Sequence, residues 1–171
     1  YMIALLMGIG IPVAVIYVMG LLQFRIEGRA DVEKLTSVPI IGDIPLAEEG
    51  EGKQGSIAVR ENENDLMAET FRGIRTNLQF MLGEENKVVL VTSTISGEGK
   101  TFVATNLAIS LSLLGKKVVI VGLDIRKPGL NKVFSLSHKE KGITQYLANP
   151  QHTDLLSMVQ PSEISPNLSI L

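Results

Sequence analysis

The chain opens on an unbroken apolar run, YMIALLMGIGIPVAVIYVMGLLQF (residues 1–24), in which no residue is charged. As a helix it would rise about 36 Å at ~1.5 Å per residue, enough to cross a hydrocarbon core of about 30 Å. Gly8, Gly10, Pro12 and Gly20 would weaken an ordinary soluble helix, but such residues are common in membrane spans. A signal peptide needs a short basic start and a small-residue cleavage site, and neither is present. A buried core helix is the remaining alternative, and the pattern favours a transmembrane helix. Arg25, Arg29 and Lys34 follow directly, which by the positive-inside tendency places the C-terminal side in the cytoplasm. Residues 25–56 then read as a juxtamembrane linker: SVPIIGDIP is rich in turn formers, and LAEEGEGKQGS is too polar to pack by itself.

Beyond the linker the pattern changes to that of an α/β domain over 57–171. A helix is expected from about 64 to 82, with Asn64 or Asp65 as its cap. Its apolar stripe is Met67, Phe71, Ile74, Leu78 and Met81, at spacings of 4, 3, 4 and 3, and Gly83 can end it. KVVLVTS (87–93) is a continuous Val-rich run, as in a strand covered on both faces. TFVATNLAISLSLLG (101–115) is apolar nearly all round and reads as a buried helix. KVVIVGL (117–123) repeats the strand pattern 30 residues after the first, which is the length of a β-α-β unit with a parallel strand pair. Shorter helices are expected near 142–148 and 153–159, and PNLSIL (166–171) reads as a strand just starting. A chain that begins inside a membrane span and stops on a starting strand is expected to be a fragment, truncated at the C-terminus.

Composition narrows the function classes. With 16 basic and 18 acidic residues the formal net charge is −2, which gives no support to a nucleic-acid binder. There is no cysteine, so disulfides and thiolate metal sites are excluded. His138 and His152 are isolated and read as surface residues rather than metal ligands.

The chemistry concentrates at TSTISGEGKT (92–101). A phosphate site needs a strand that stops, a loop whose backbone N–H groups converge, and a helix N-terminus aimed at the anion. Gly97 and Gly99 supply the backbone freedom, Lys100 would bridge the terminal phosphates, and the Thr101 hydroxyl would sit on Mg²⁺. The common phosphate-loop pattern places a further glycine where this chain has Thr94. The expected nucleotide-contacting set is Thr94, Ser96, Gly97, Glu98, Gly99, Lys100, Thr101 and Phe102. A dinucleotide fingerprint is the competing reading of Gly97-Glu98-Gly99, but its third glycine would fall on Phe102, and it lacks the Lys-Thr pair. The second strand run ends in VVIVGLDIRKP (118–128), which puts Asp124 and Arg126 at the carboxyl edge of a sheet, where ligands bind. A carboxylate there can hold a water on Mg²⁺ or accept a proton from an attacking hydroxyl; a turn or cap aspartate is the bland alternative.

Together these segments resemble the bacterial tyrosine kinases (BY-kinases), membrane autokinases of the polysaccharide-copolymerase type that regulate capsular and exopolysaccharide assembly. TSTISGEGKTFVATNLA is similar to their Walker A loop, which normally lacks the leading glycine. VVIVGLDIRKP is similar to their Walker A′ motif, a hydrophobic run followed by Asp-x-Asp-x-Arg, except that Gly122 stands at the first Asp. ETFRGIR (69–75) matches their Glu-x-x-Arg-x-x-Arg oligomerisation pattern, and the apolar helix with RADVEKLTSVPIIGDIP resembles their second membrane span and juxtamembrane segment. The resemblance implies a P-loop NTPase-type parallel sheet flanked by helices, here incomplete, preceded by one transmembrane helix. It implies ATP and Mg²⁺ as cofactors, with Lys100, Asp124 and Arg126 as catalytic residues and Thr101 and Asp124 toward the metal. It also implies Glu69, Arg72 and Arg75 at a subunit contact in a ring, where one copy phosphorylates the next. A weak solvated Glu69–Arg72 pair on one helix face is the plainer alternative for those residues. The implied partners are other copies of the chain, the membrane, the polysaccharide polymerisation and export machinery and a cognate tyrosine phosphatase, with no nucleic acid. The family's Walker B segment and C-terminal tyrosine cluster are not found, since only Tyr1, Tyr17 and Tyr146 occur.

Two other readings share the phosphate loop. A partition-type ATPase switch would carry a signature Lys where Ile95 stands, and would bind membranes peripherally. A non-catalytic chain-length regulator with a decayed nucleotide domain gains support from Gly122.

Overall fold

The computed structural model describes residues 1–22, 26, 28–46, 57–61, 65–83, 85–136 and 142–171. They form two compact units, 1–40 and 41–171. The first unit holds α1 (Met2–Leu22), 21 residues without a charged side chain, and α2 (Arg29–Leu35). The described side chains of α1 from 7 to 20 are all exposed. Among the described residues no helix is long and apolar enough to cross a membrane, so the structure does not show the expected span. The short helix α2 was not expected within the linker; Arg29 Nε donates to Glu33 Oε1 at 2.8 Å one turn on, a pair that supports it locally.

The second unit is built around α3 (Leu66–Leu82) and α4 (Lys100–Leu113), which pack together. Asp65 caps α3 by accepting the Ala68 N–H at 2.6 Å, and Gly83 ends it at φ +64, both as the sequence predicts. Asn64 lies outside the described residues. The buried stripe is Ala68, Phe71, Ile74 and Leu78; Met81 falls on the exposed side, with Met67 only partly buried. The helix α4 is buried continuously from Thr105 to Ser110, as expected of a segment apolar nearly all round. Its Asn106 is fully buried: Oδ1 accepts the N–H groups of Ala58 (2.7 Å) and Val59 (3.0 Å), and Nδ2 donates to Phe102 O (2.9 Å). That side chain stitches an irregular segment onto α4 and brings Val59 into the core.

The sheet differs from expectation. Strand β1 (Val118–Ile120) pairs in parallel with β3 (Leu168–Ile170), and β2 (Gln160–Pro161) adds to β3 antiparallel, giving the order β1-β3-β2. Val118 faces Leu168 and Ile120 faces Ile170, and Gly122 N–H continues the contact to Leu171 O at 2.8 Å. The sheet is therefore mixed, not all parallel. The run 87–93 joins no ladder. It contains no helix or strand, and Val88 and Leu90 are 87% and 79% exposed. Its Val-rich composition says what the segment would bury if paired on both sides, and no described strand lies beside it.

Short elements complete the unit. The helix α5 (Gly129–Val133) was not expected, α6 (Ile143–Ala148) was, and the anticipated helix near 153–159 shrinks to one 3₁₀ turn at Leu156–Met158. The linker reading also needs correction for 41–46. Ile41 and Ile44 pack on the core, and Asn77 Nδ2 donates to Ile41 O at 2.8 Å. Gly42 lies so close to α3 that a Cβ would overlap Ile74 Cγ1. Ile41 and Ile44, three apart in IIGDIP, give this segment something to bury, which a tether would lack. Residues 47–56 lie outside the described ones.

Candidate nucleotide site

The loop before α4 has the glycine turn and the helix N-terminus expected of a phosphate site, but the run 87–93 ahead of it forms no strand. Gly97 and Gly99 sit at φ +99 and +90, the left-handed region where a side chain is strained, and Gly99 is the N-cap of α4. The turn is braced from within. Glu98 Oε2 accepts the Ile95 N–H at 3.0 Å, and Ser93 Oγ donates to Ile95 O at 3.0 Å. The first intrahelical bond is Val103 N–H to Gly99 O at 2.9 Å, so the amides of Lys100, Thr101 and Phe102 head the helix without an i−4 partner of their own helix. They carry the positive end of the helix dipole. Thr94, Ser96 and Glu98 are exposed on the loop. The Phe102 ring turns inward instead and meets Phe71 edge-on at 5.7 Å, so this residue could serve an anion only through its backbone.

Across the loop stands Asp124. Its Oδ2 is 3.1 Å from Lys100 Nζ, with both side chains about one-third exposed. Its Oδ1 accepts the Lys127 N–H at 3.1 Å, an Asx-type turn that shapes 124–127. The Lys100 ammonium, and then the backbone amides of Lys127 and Arg126, hold the carboxyl below the usual aspartate range. Asp124 therefore shapes a turn, the plainer of its two sequence readings, and its carboxylate also faces the phosphate-loop lysine. Arg126 is exposed beside it.

Gly122 occupies the same face of the chain as Asp124, two residues earlier. A Cβ there would lie 3.3 Å from Leu130 Cδ1 and 3.7 Å from Leu171 O. The three nearest atoms belong to the Leu130 side chain and the Leu171 carbonyl, and none is a carboxylate oxygen. A residue the sequence reading passed over lies on the other side of Leu130: a Cβ on Gly129 would sit 2.9 Å from Thr101 Oγ1 and 3.1 Å from Thr101 Cγ2. The only signal for it in the sequence is the Pro128-Gly129 pair, which marks a turn and no more.

The donor set suits Mg²⁺. A hard cation that keeps several waters and takes its other oxygens from phosphates needs one or two protein oxygens, and Thr101 and Asp124 supply a hydroxyl and a carboxylate near the loop. Among the described residues no group of three His, Asp or Glu could cage a metal by itself.

Of the expected subunit-contact residues, Glu69 and Arg72 form an ion pair with each other on α3. Arg75 turns toward α4, where Nη1 donates to Ser110 O at 3.0 Å and Ser110 Oγ at 3.3 Å. His152 is exposed with Nδ1 3.0 Å from Asn149 Oδ1, as a surface residue would be, and His138 lies outside the described residues.

Comparison with known proteins agrees with this geometry. A family model described as ParA, NUBPL iron-transfer P-loop NTPase, matches residues 84–165. The chain is 30% identical over 158 residues to a putative tyrosine-protein kinase in the cps region of Klebsiella pneumoniae, covering 84% of this chain and 22% of that protein. It is 38% identical over 112 residues to the tyrosine-protein kinase CpsD of Streptococcus agalactiae, covering 60% of this chain and 48% of the relative. The chain thus spans between about a fifth and a half of the curated relatives it matches. Among solved structures, the kinase domain of the Escherichia coli tyrosine kinase ETK superposes with a TM-score of 0.71 at 24% identity, over 86% of this chain and 59% of that one. That likeness shows the fold, a P-loop NTPase-like α/β arrangement. The homologues are bacterial tyrosine-protein kinases.

Proposed function

We propose that this chain, a homologue of the bacterial tyrosine-protein kinases, is the membrane-anchored nucleotide-binding part of an ATP-dependent protein-tyrosine autokinase that regulates polymerisation and export of capsular or extracellular polysaccharide. The observation that carries the reading is the 3.1 Å approach of Lys100 to Asp124 at the head of α4, beside a turn with two left-handed glycines. Phosphoryl transfer asks mainly for positioning and charge neutralisation, and these are what the residues supply. The amides at 97–102 would cradle phosphate oxygens, Lys100 would neutralise their charge, and Thr101 and Asp124 would hold Mg²⁺, which supplies further charge neutralisation when bound. Asp124, once Lys100 has turned to the phosphates, is the carboxylate left near the attacking tyrosine hydroxyl. Arg126 is exposed at the same edge and adds positive charge there.

Residues 1–24 anchor the chain in a bacterial inner membrane with the nucleotide site in the cytoplasm, supported by an uncharged run of membrane-spanning length followed by Arg25, Arg29 and Lys34. Copies assemble in a ring through α3, where Glu69 and Arg72 exchange their mutual ion pair for pairs with a neighbour, and Arg75 holds α3 to α4 behind them. The Klebsiella relative's placement in a cps region supports the polysaccharide machinery as a partner; a cognate phosphatase would reset the phosphotyrosines.

The full-length protein should transfer labelled phosphate from ATP to tyrosine, and Lys100→Met should reduce this by two orders of magnitude or more, about 3 kcal/mol of transition-state stabilisation. Undiminished labelling in that variant counts against the assignment. Gly122, in place of the first Asp of the Asp-x-Asp pattern, favours one other reading, a scaffold whose nucleotide domain no longer works. A scaffold would show no Mg²⁺-dependent ATP affinity.

A further inference from the structure

We infer that Gly129 is a positioning residue for the metal side of the site: its missing side chain leaves the space in which the Thr101 hydroxyl stands. The inference rests on the nucleotide-site reading above and names a residue which that reading does not use.

The geometry comes from the turn between β1 and α5. Asp124 accepts the Lys127 N–H and tightens the chain. Pro128, with φ fixed at −67, then turns it back toward α4. The first residue of α5 arrives directly on Thr101. A Cβ on Gly129 would lie 2.9 Å from Thr101 Oγ1, 3.1 Å from Cγ2 and 3.4 Å from Cβ. The first distance is closer than real side-chain contacts come, and the other two are tight. Thr101 cannot move as a whole to make room, because it sits in the first turn of α4, whose following residues are buried. Rotation about χ1 is the cheap escape, and it swings the hydroxyl away from where it stands.

The glycine is not there for its backbone. Its φ is not among the positive values, which occur at Gly83, Gly97, Gly99 and Gly115. It opens a short helix, where alanine is the better former. On conformational grounds alone Gly129→Ala should be neutral or stabilising. The close approach to Thr101 is what the alanine would violate.

The test measures ATP affinity of the full-length protein by calorimetry, with and without MgCl₂, alongside a thermal melt. Gly129→Ala should keep its melting temperature and its Mg²⁺-free affinity, and lose about 10–100-fold of the tightening that Mg²⁺ gives, the range for disturbing the support of a metal ligand. Adding Thr101→Ser removes the Cγ2 methyl but keeps the hydroxyl within 2.9 Å of the new Cβ, so the double variant should show the same loss. Thr101→Ala serves as reference and should abolish the Mg²⁺ tightening. Unchanged Mg²⁺ dependence in Gly129→Ala, or a loss that Thr101→Ser rescues, which would put the obstruction on the methyl and not the hydroxyl, overturns the inference while the phosphate-loop reading stands. If Thr101→Ala itself leaves the Mg²⁺ dependence intact, the metal role of Thr101 fails, and the inference about Gly129 fails with it.

Discussion

At the scale of single residues, the pair formed by Lys100 and Asp124 ties the two sequence motifs together. The two side chains come from segments 24 positions apart, and nothing in either segment alone says that they meet at 3.1 Å. What could be read from sequence was the kind of chemistry: a lysine after a glycine turn, and a carboxylate at the end of an apolar run. The pairing has a titration signature. With its pKa lowered by Lys100 first, Asp124 holds its proton less well in the folded protein than in the unfolded chain. The stabilisation from the pair is therefore complete above the unfolded aspartate value of about 4, and is lost as pH falls through the lowered folded value. Near neutral pH the Asp124 carboxyl stays ionised, and its titration adds no pH dependence there. Carbon-13 NMR of the Asp124 carboxyl should give a midpoint below 3.8 in the wild type. Lys100→Met should raise it, though not to the free value, because the amides of Lys127 and Arg126 still donate. A midpoint unmoved by Lys100→Met would mean that the two groups do not pair in solution.

At the scale of elements, legibility followed how local each signal was. The helix α3 was readable because cap, stripe and glycine stop lie within one stretch of chain, and each acts on its neighbours. The same holds for α4, whose apolar circumference announces burial without saying against what. The run 87–93 was misread as a formed strand, since a strand needs a partner that its own sequence does not contain. The small helices α2 and α5 lacked a long enough period to be seen at all. Asn106 shows the converse, a polar residue inside an apolar helix whose role appears only when residue 58 arrives beside it. Its Oδ1 satisfies two buried-side amides at once, so its loss orphans both. Asn106→Leu keeps the branching at Cγ, with a somewhat larger volume, and removes the acceptor. Denaturant unfolding should show a loss of about 2–4 kcal/mol, with faster hydrogen exchange at the amides of Ala58 and Val59. A loss below about 0.5 kcal/mol, the level of a neutral surface change, would show that this segment is held by Val59 packing instead.

At the scale of the whole molecule, two exposed apolar regions compete to explain any attachment to a bilayer. One is α1, uncharged along its 21 residues. The other lies in the second unit, where Val88 and Leu90, in a run that joins no ladder, and Val121 and Leu123, just after β1, are exposed. They differ physically. The backbone of a helix satisfies its own hydrogen bonds in hydrocarbon, whereas an unpaired extended run such as 87–93 would carry bare amides into it. The helix should therefore be the segment that enters, and a charge at its middle should be costly in proportion. Val13→Arg places a guanidinium near the centre of α1, where insertion costs about 2.5–3.5 kcal/mol, or roughly two orders of magnitude in partition. The wild-type chain should float with phosphatidylcholine vesicles on a density gradient, and Val13→Arg should leave a large share behind. Val88→Arg, a charge on that second region, should float like the wild type. The opposite pattern, flotation lost in Val88→Arg and kept in Val13→Arg, would transfer the attachment from α1 to the uncovered face of the nucleotide-binding unit and remove the reason for reading residues 1–24 as an anchor.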